Sequence, residues 1–392
     1  MNSNTLPPYL MTSDQRSFAQ KTIAERKPSI IKQILADYDY TPDIRQSLID
    51  YKHEIASSQI KKLQEDASDK TIWDQALEPW EGRTWFEIPW LLAEAYFYRR
   101  VLEATRYFQP GPYHGMDPFQ RLKTQEILEG QVVFEDLYPY IDKTPTLESF
   151  QAFCIKALWG NRGDLSHTED KLDPSMETQS DRIILDDTNQ AYQYLSSKQP
   201  ASIAYFFDNV GKELFFDLAL IDFLIDLGFA GKVTCYLKNQ PFFVSDAMPK
   251  DFYTSIELLT TSKVDAVQQM AKRFQSHINK GVVIIDAAPF FTQPHMYHEL
   301  PDVLENQISR HDLAILKGDV NYRRLMGDRH WPPTTTVDVA GGYFPASFIS
   351  LRTLKAEFVV GLSKITLEKI KNEADTDWLI NGKRGVITFL QK

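Results

Sequence analysis

The sequence contains very little cysteine, with only Cys154 and Cys235 among its 392 residues. The two lie far apart and outside any C-x-x-C spacing, so neither a disulfide framework nor a thiolate zinc site is indicated. Such sparse cysteine fits a reducing compartment, and we predict a cytoplasmic location.

Long apolar runs are also missing. No stretch approaches the roughly 20 residues that a helix needs to span a bilayer. Residues 1–18 lack the charged start and apolar core of an export signal. We therefore expect a chain that is neither membrane-embedded nor exported.

The chain has fewer basic than acidic residues. The 43 Lys and Arg residues face 53 Asp and Glu residues, which gives a formal net charge of -10. Such a chain repels phosphate backbones and anionic membranes at long range, so we expect neither nucleic acid nor membrane as a partner. A small anionic substrate stays compatible, because one bound dication and one or two local cations reverse the potential inside a pocket.

The composition otherwise resembles that of a folded globular protein, with 43% hydrophobic and 24% charged residues. The first 165 or so residues indicate one helix after another, since charges recur three and four residues apart. The polar, aperiodic stretch 167–180 suggests a boundary. We therefore predict a helical module over residues 1–180 and a second domain over residues 181–392.

The clearest predicted helix begins at Pro89 and ends near Phe108, before a Pro-Gly-Pro stop. It carries Glu94, Arg99 and Arg100, which we interpret as a solvated or ion-paired helix face rather than as site residues.

After residue 180, short apolar strands alternate with helices. This alternation predicts an α/β domain with a mainly parallel sheet covered by helices on both faces, a Rossmann-like three-layer α/β/α arrangement. The predicted strands are RIILDD, IAYFFD, KVTCYL, VVIIDA, LAILKGD, EFVVGL and GVITFL. Ligands in such folds sit beyond the carboxyl ends of the strands.

One strand, IAYFF, leads directly into Asp208 and Asn209, with Gly211 and Glu213 close behind. A carboxylate and an amide carbonyl are oxygen donors that Mg or Mn prefers, and glycine permits a close backbone approach. The alternative is that Asp208 or Asn209 simply caps the helix that follows.

A second strand exit places Asp246 one strand-helix-strand unit later. Neighbouring parallel strands bring Asp208 and Asp246 together, and two converging carboxylates repel each other unless a cation lies between them. The alternative is a helix cap near Pro249.

A third strand exit carries acceptors and a fixed cation, from Asp319 to Arg323. These groups suit hydroxyl and phosphate recognition, although Asp and Asn also favour ordinary turns.

Near the C-terminus, Lys355 lies between Arg352 and the predicted strand EFVVGL. Its ammonium group suits one phosphoryl oxygen, while isolated Arg-x-x-Lys pairs are usually surface charge.

Taken together, these motifs resemble the damage-control phosphatase family, in its sugar-phosphate subfamily with an Arg-Thr-x-Lys signature. The matching segments are FDNVGKE, FVSDA, KGDVNYRRL and Arg352-Thr353-Leu354-Lys355, along with the N-terminal PWLLAEAYFYRR and LWGNRGDLS.

The resemblance implies a helical module joined to a Rossmann-like domain, and hydrolysis of fructose 1-phosphate and related ketose or hexose phosphates. It implies that a Mn, Co, Ni or Mg ion is held by Asp208, Asn209 and Asp246. It also implies that the catalytic residues are Asp208, Asp246 and Lys355. Substrate contacts are expected at Asp208, Asn209, Glu213, Asp319, Val320, Asn321, Tyr322, Arg323 and Lys355.

Two other functions are weighed against the phosphatase. Family members have also been assigned S-adenosylmethionine-dependent methylation of protein glutamates. That activity leads us to expect a glycine-rich loop after the first strand, where this chain has LDDTNQAY. A non-catalytic sugar-phosphate sensor is the third hypothesis. For the phosphatase, both a metal-bound water and the Asp208 carboxylate stay open as the nucleophile.

Overall fold

A computed structural model describes residues 6–160, 180, 182–373 and 375–392. The predicted boundary stretch 167–180 lies outside the described residues apart from its last residue, and so does most of the segment LWGNRGDLS.

The chain before residue 161 is helical, as the sequence predicts. Its α-helices are α1 (Phe18–Lys21), α2 (Lys27–Asp37), α3 (Pro42–Ser57), α4 (Lys70–Leu77), α5 (Trp90–Ala104), α6 (Gln120–Leu137) and α7 (Leu147–Trp159). A π-helical turn spans Thr22–Arg26, and 3-10 turns span Glu78–Trp80 and Tyr138–Tyr140.

Helix α5 is shorter than its sequence pattern predicts. It ends at Ala104, because Arg106 adopts a left-handed φ of 59°. A left-handed residue ends a right-handed helix regardless of the apolar residues that follow.

The rest of the chain builds a seven-stranded sheet from its described residues. The strands are β1 (Ile183–Asp186), β2 (Ala201–Phe206), β3 (Ala230–Tyr236), β4 (Val283–Asp286), β5 (Leu313–Lys317), β6 (Phe348–Thr353) and β7 (Gly385–Leu390). Their order is β1-β7-β6-β5-β2-β3-β4. Strands β6, β5, β2, β3 and β4 are parallel, and β7 runs antiparallel to β6.

Helices connect the strands. They are α8 (Thr188–Ser197), α9 (Lys212–Asp226), α10 (Pro249–Thr260), α11 (Asp265–Asn279), α12 (Asp302–Ile308), α13 (Gly318–Met326), α14 (Val337–Gly341) and α15 (Lys364–Lys371). Short 3-10 turns occur at Pro289–Thr292 and Tyr297–Glu299.

Both faces of the sheet are buried, as β2 illustrates. Ile203 and Tyr205 belong to the core that includes α6, α7 and α9, whereas Ala204 and Phe206 belong to a second core on the opposite face. Successive side chains of a strand point to opposite faces, so a strand with apolar residues throughout needs cover on both. The prediction of a three-layer α/β/α domain with a mainly parallel sheet, preceded by helices, is confirmed.

The strand predicted at EFVVGL is wrong, since β6 lies earlier, at Phe348–Thr353. Side chains and the backbone of a loop satisfy backbone groups of EFVVGL in place of a ladder, and the loop carbonyls of Thr335 and Pro333 accept from Gly361 and Leu362. The Phe358 carbonyl accepts a 2.9 Å hydrogen bond from Arg352 Nη1, and the Val360 N–H donates a 3.0 Å bond to the Tyr322 hydroxyl. Lys355 thus follows a strand instead of preceding one.

Within the described ranges, no helix has the length and apolar character required to cross a membrane.

Candidate active site

The candidate site lies at the carboxyl edge of the parallel strands. Asp208 follows β2, Asp246 follows β3, Asp319 follows β5 and Lys355 follows β6, and these four strands are consecutive in the sheet. The fold therefore brings the residues selected from the sequence to one edge, where open α/β sheets bind ligands.

Backbone hydrogen bonds join the segments that follow β2 and β3. Asn209 and Asp246 form an isolated antiparallel bridge. Beside it, the Ala247 N–H donates a 2.8 Å hydrogen bond to the Asp208 carbonyl. The two acidic segments are consequently held together by the main chain.

The helix-capping alternatives do not hold in the structure. The N-cap of α9 is Gly211 rather than Asp208 or Asn209. The N-cap of α10 is Met248, two residues beyond Asp246. All three oxygen-bearing side chains therefore stay available for another purpose.

The amide of Asn209 is oriented by its neighbours. Its Nδ2 donates to Asp208 Oδ2 at 3.0 Å and to Glu213 Oε2 at 3.2 Å. Its Oδ1 accepts a 2.8 Å hydrogen bond from the Ser245 hydroxyl. Since the amide nitrogen faces two carboxylates, the carbonyl oxygen faces the Ser245 side.

A glycine makes room for Asp208. Gly318 directly follows β5 with a φ of +83°, and a Cβ added there would lie 1.8 Å from Asp208 Oδ2. Any side chain at position 318 would occupy the space of the carboxylate. The start of α13 thus lies in direct contact with Asp208.

Burial and like charge act together on the acidic residues. Burial, with Glu213 and Asp246 nearby, raises the pKa of Asp208 well above its usual range. Burial also raises the pKa of Asp246, although Lys238 Nζ lies 3.1 Å from its Oδ2. Apart from this ion pair, the Asp246 carboxylate has no hydrogen-bond donor among the described residues. The cluster thus contains more negative than positive groups.

The formal charge of this buried cluster can be counted. Lys317 Nζ lies 3.2 Å from Glu213 Oε1 and 2.9 Å from Asp217 Oδ1. Four buried carboxylates and two buried ammonium groups thus leave a formal charge of -2 when all are ionised. These residues are Asp208, Glu213, Asp217, Asp246, Lys238 and Lys317. One dication would neutralise the cluster.

The donor set suits a hard dication. Asp208, Asn209 and Asp246 offer oxygen atoms, the ligand type that Mg and Mn prefer. Across the residues that the structure describes, no group of three or more His, Cys, Asp and Glu side chains is arranged to hold a metal ion. The predicted set of three ligands accordingly combines two carboxylates with one amide, that of Asn209.

Comparison with known proteins identifies the family. Residues 22–370 match the family model described as the damage-control phosphatase ARMT1-like domain. The chain belongs to this family. The resemblance to damage-control phosphatases inferred from the motifs is thereby confirmed.

The alignments of this chain with two similar proteins extend over nearly the full length of those proteins. The chain is 31% identical to Damage-control phosphatase ARMT1 of Danio rerio, covering 98% of this chain and 97% of that protein. It is 30% identical to the Homo sapiens protein of the same name, covering 98% of each. A crystal structure of a DUF89 family protein from Pyrococcus horikoshii superposes with a TM-score of 0.52 at 15% identity, covering 95% of this chain and 97% of that one. This last likeness supports the fold.

In this family member, the predicted substrate segment Asp319–Arg323 lies within the first turns of α13. Asp319 Oδ1 accepts a 2.7 Å hydrogen bond from Arg352 Nε. Val320 and Tyr322 are buried. The side chain of Asp319 therefore borders the strand that precedes Lys355.

Asn321 of the same segment forms several internal bonds. Its Nδ2 donates to the Lys317 carbonyl at 2.7 Å and to the Phe207 carbonyl at 3.2 Å, and its Oδ1 accepts a 2.7 Å bond from the Tyr297 hydroxyl. These contacts tie the ends of β2 and β5 together. Contact between Asn321 and a substrate stays a prediction.

Arg323 also has internal partners. Its Nη1 donates to Glu94 Oε2 at 2.6 Å, and its Nε donates to Asp328 Oδ1 at 2.7 Å. Its guanidinium lies 3.6 Å from the ring centroid of Trp90. Contact between Arg323 and a substrate likewise stays a prediction.

The charged residues of α5 are ion-paired and buried rather than solvated. Glu94 pairs with Lys27 and Arg323, Arg99 with Glu65 and Asp69, and Arg100 with Glu54 and Glu103. The sequence analysis predicted a solvated or an ion-paired helix face, and the structure shows the ion-paired one.

Sequence reasoning overlooked three charged residues near the site. Lys238 and Lys317 lie at the ends of otherwise apolar strand segments. A charged residue at such a position could have indicated that they belong to the site. Glu126 on α6 is half-buried, and burial raises its pKa to about 7 with a contribution from Glu213. No local signal marked Glu126, because its helix reaches the site only through the tertiary fold.

Proposed function

We propose that this member of the damage-control phosphatase family is a metal-dependent phosphatase of small sugar phosphates, with fructose 1-phosphate and related ketose or hexose phosphates as its substrates. Family membership supports phosphatase activity. The substrate class and the use of Mn, Co, Ni or Mg are what the resemblance of the motifs implies, and the oxygen donors of the site are compatible with such an ion.

The observation that carries the metal dependence is the uncompensated charge around Asp208, Asn209 and Asp246. Buried carboxylates of like charge raise each other's pKa unless a cation lies among them. A dication held by these three residues would restore neutrality. When bound, it would draw electron density from a phosphoryl oxygen and open the phosphorus to attack.

The chain itself offers two further elements for the phosphate. Helix α13 begins at Gly318, in contact with Asp208, and a helix N-terminus favours anions through its unpaired N–H groups. Lys355 is half-buried and has no ion-pair partner among the described residues. Its ammonium group would hold a second phosphoryl oxygen while the substrate is positioned.

Asp319 would contact the sugar rather than the phosphorus. Its Oδ1 accepts from Arg352, which fixes the carboxylate next to the end of β6. A fixed carboxylate oxygen is a suitable acceptor for a sugar hydroxyl. It would thus orient the substrate between the phosphate site and the sheet edge.

The test is phosphate release from a panel of sugar phosphates, measured after EDTA treatment and again with Mn, Co, Ni or Mg added. We expect activity to disappear with EDTA and to return with at least one ion. Asp208→Asn should abolish it, because the change removes one of the two carboxylate charges that would hold the dication. Asp286→Asn is the matched control, since Asp286 ends β4 at the same sheet edge.

Metal-dependent turnover that survives in the Asp208 variant would refute the assignment. Binding of sugar phosphates without phosphate release under any of the four ions would favour the sensor.

A further inference from the structure

Lys317 is a buried lysine whose ammonium group has three partners inside the protein. It ends β5 and is 1% exposed. Its Nζ donates to the Ala157 carbonyl at 2.8 Å and to Glu213 Oε1 at 3.2 Å, and it lies 2.9 Å from Asp217 Oδ1. An ammonium group has three protons and no acceptor. Lys317 therefore has no donor left for a substrate.

The surroundings of Lys317 fix both its charge and its place. Burial acts to lower the pKa of Lys317, but Asp217 and Glu213 outweigh it and raise this pKa, so the ammonium is charged at neutral pH. Asp217 Oδ1 also accepts a 2.7 Å hydrogen bond from the Tyr205 hydroxyl. The Ala157 carbonyl belongs to the last turn of α7, where a cation is favoured by the helix dipole. The proton that Lys317 offers to Glu213 thus comes from a fixed position.

Glu213 connects this lysine to the side-chain amide of Asn209. Its Oε1 accepts from Lys317 and its Oε2 accepts from Asn209 Nδ2 at 3.2 Å, so each carboxylate oxygen has one donor. The other proton of the amide goes to Asp208 Oδ2 at 3.0 Å. A flipped amide would direct its carbonyl oxygen at two carboxylates, which accept hydrogen bonds and donate none. Glu213 thus helps to determine which way the amide points.

This orientation leaves part of the Asn209 carbonyl oxygen available to a cation. Its Oδ1 accepts a 2.8 Å hydrogen bond from the Ser245 hydroxyl. A carbonyl oxygen has two lone pairs, so one stays unused among the hydrogen bonds of the described residues. Presentation of this oxygen requires that carboxylates hold the amide nitrogen, and the Glu213 part of that hold depends on Lys317.

We propose that Lys317 is a positioning residue, which holds Glu213 so that Asn209 presents its carbonyl oxygen to a divalent cation. This inference rests on the proposed metal-dependent function. Partners that orient a metal ligand typically change metal affinity by roughly 10- to 100-fold. Charge alone predicts the opposite effect, because loss of an ammonium group makes the acidic cluster more negative and should tighten the binding of a dication.

The experiment is a Mn²⁺ titration of the full chain, with free Mn²⁺ measured by electron paramagnetic resonance. The main variant combines Lys317→Met with Asp217→Asn, which removes one charge of each sign and leaves the formal charge of the cluster unchanged. It is made both in the unaltered chain and together with Asn209→Ala. Melting temperatures without metal verify that each variant folds.

A second buried lysine between two carboxylates supplies the matched control. Lys123 Nζ lies 3.2 Å from Asp117 Oδ2 and 2.9 Å from Asp251 Oδ2. Among the described residues, none of these three side chains is hydrogen-bonded to the side chain of Glu213 or Asn209. Lys123→Met with Asp117→Asn therefore repeats the loss of a buried ion pair without loosening the amide.

We expect the Lys317→Met/Asp217→Asn variant to raise the Mn²⁺ dissociation constant about 10-fold or more. The control should change it by less than about 2-fold. In Asn209→Ala, the Lys317 change should weaken binding no further, because the oxygen that it positions is gone. Glu213→Gln tests the same link with Lys317 still paired to Asp217, so it covers the case in which the Lys317 variant does not fold. It should weaken binding more in the unaltered chain than in Asn209→Ala.

Unchanged affinity in the Lys317 variant would overturn the inference. So would an equal loss in the control, or a loss of the same size with and without the Asn209 amide, because Lys317 would then act through general stability or charge. An unaltered chain that fails to bind Mn²⁺ would refute the proposed metal dependence itself, and the inference with it.

Discussion

Replacing Glu94 by Gln should destabilise the protein strongly. Glu94 is buried and accepts from Lys27 at 2.7 Å and from Arg323 at 2.6 Å. Arg323 also pairs with Asp328, so two cations and two carboxylates form a neutral buried network. The Gln variant leaves that network with one uncompensated positive charge. Removing one partner of a buried ion pair typically costs about 3–5 kcal/mol.

The pKa of Glu94 gives a second way to obtain the free-energy cost of the Glu94→Gln substitution. Burial acts to raise this pKa, but Lys27 and Arg323 outweigh it and lower the pKa from 4.5 to about 2. Each pKa unit corresponds to about 1.4 kcal/mol, so the ionised form contributes roughly 3 kcal/mol to the free energy of unfolding. The two routes agree within their precision.

The assay is thermal unfolding as a function of pH. An unfolding entropy of about 2.1 cal/mol/K per residue gives roughly 0.8 kcal/mol/K for this chain, so Glu94→Gln should lower Tm by about 4–6 °C near neutral pH. Because the folded pKa lies below the unfolded value, the contribution is present above about pH 4.5 and is lost as pH falls towards 2. The difference in Tm should shrink over that window.

The matched control is Glu81→Gln, since Glu81 forms an exposed pair with Lys62 at 3.4 Å. It should change Tm by less than about 1 °C. A Glu94 variant that melts like this control, or a difference that stays constant down to pH 2, would refute the account of the buried network.

The remaining predictions concern the site. Gly318→Ala should abolish metal-dependent activity, because its Cβ would lie 1.8 Å from Asp208 Oδ2. Gly327→Ala has a similar positive φ but a nearest contact of 3.4 Å, so it should lower stability while retaining activity; equal activity in the two variants would contradict the proposed close approach. Lys355→Ala should raise the KM for sugar phosphates at least about 10-fold with Tm unchanged, whereas the exposed Lys364→Ala should leave KM unaltered. Steady-state kinetics with thermal unfolding checks both.

Much of the site geometry could be predicted because it depends on local rules. An apolar strand followed at once by Asp208 and Asn209 places oxygen donors at a strand end, and parallel strands put their carboxyl ends at one edge. The same rule located Asp246 and Asp319. Adjacency of the strands that precede Asp208 and Asp246 then predicted that these two carboxylates converge, whereas the position of β5 beside β2 was not predicted.

The error in the strand prediction arises where side chains and loop backbone replace regular strand pairing. EFVVGL has the apolar run of a strand, yet its carbonyl at Phe358 and its N–H at Val360 are bonded by side chains. Apolar periodicity reports burial and cannot distinguish a ladder from such side-chain bonding. The pairing of Glu94 with Arg323 could not be predicted either, because the two residues are 229 positions apart in the sequence.

The helical part of the chain supports the site directly, which local patterns could not reveal. A Cβ at Gly130 on α6 would lie 2.4 Å from the Lys212 nitrogen, and one at Gly160 after α7 would lie 2.6 Å from the Glu213 Cα. Both contacts fall on the first turn of α9, immediately after the Asp208-Asn209 pair. Because protein interiors are close-packed and transmit strain, a side chain at either glycine would displace that turn. The position of Glu213, and with it the amide of Asn209, therefore depends on helices that carry none of the predicted metal ligands.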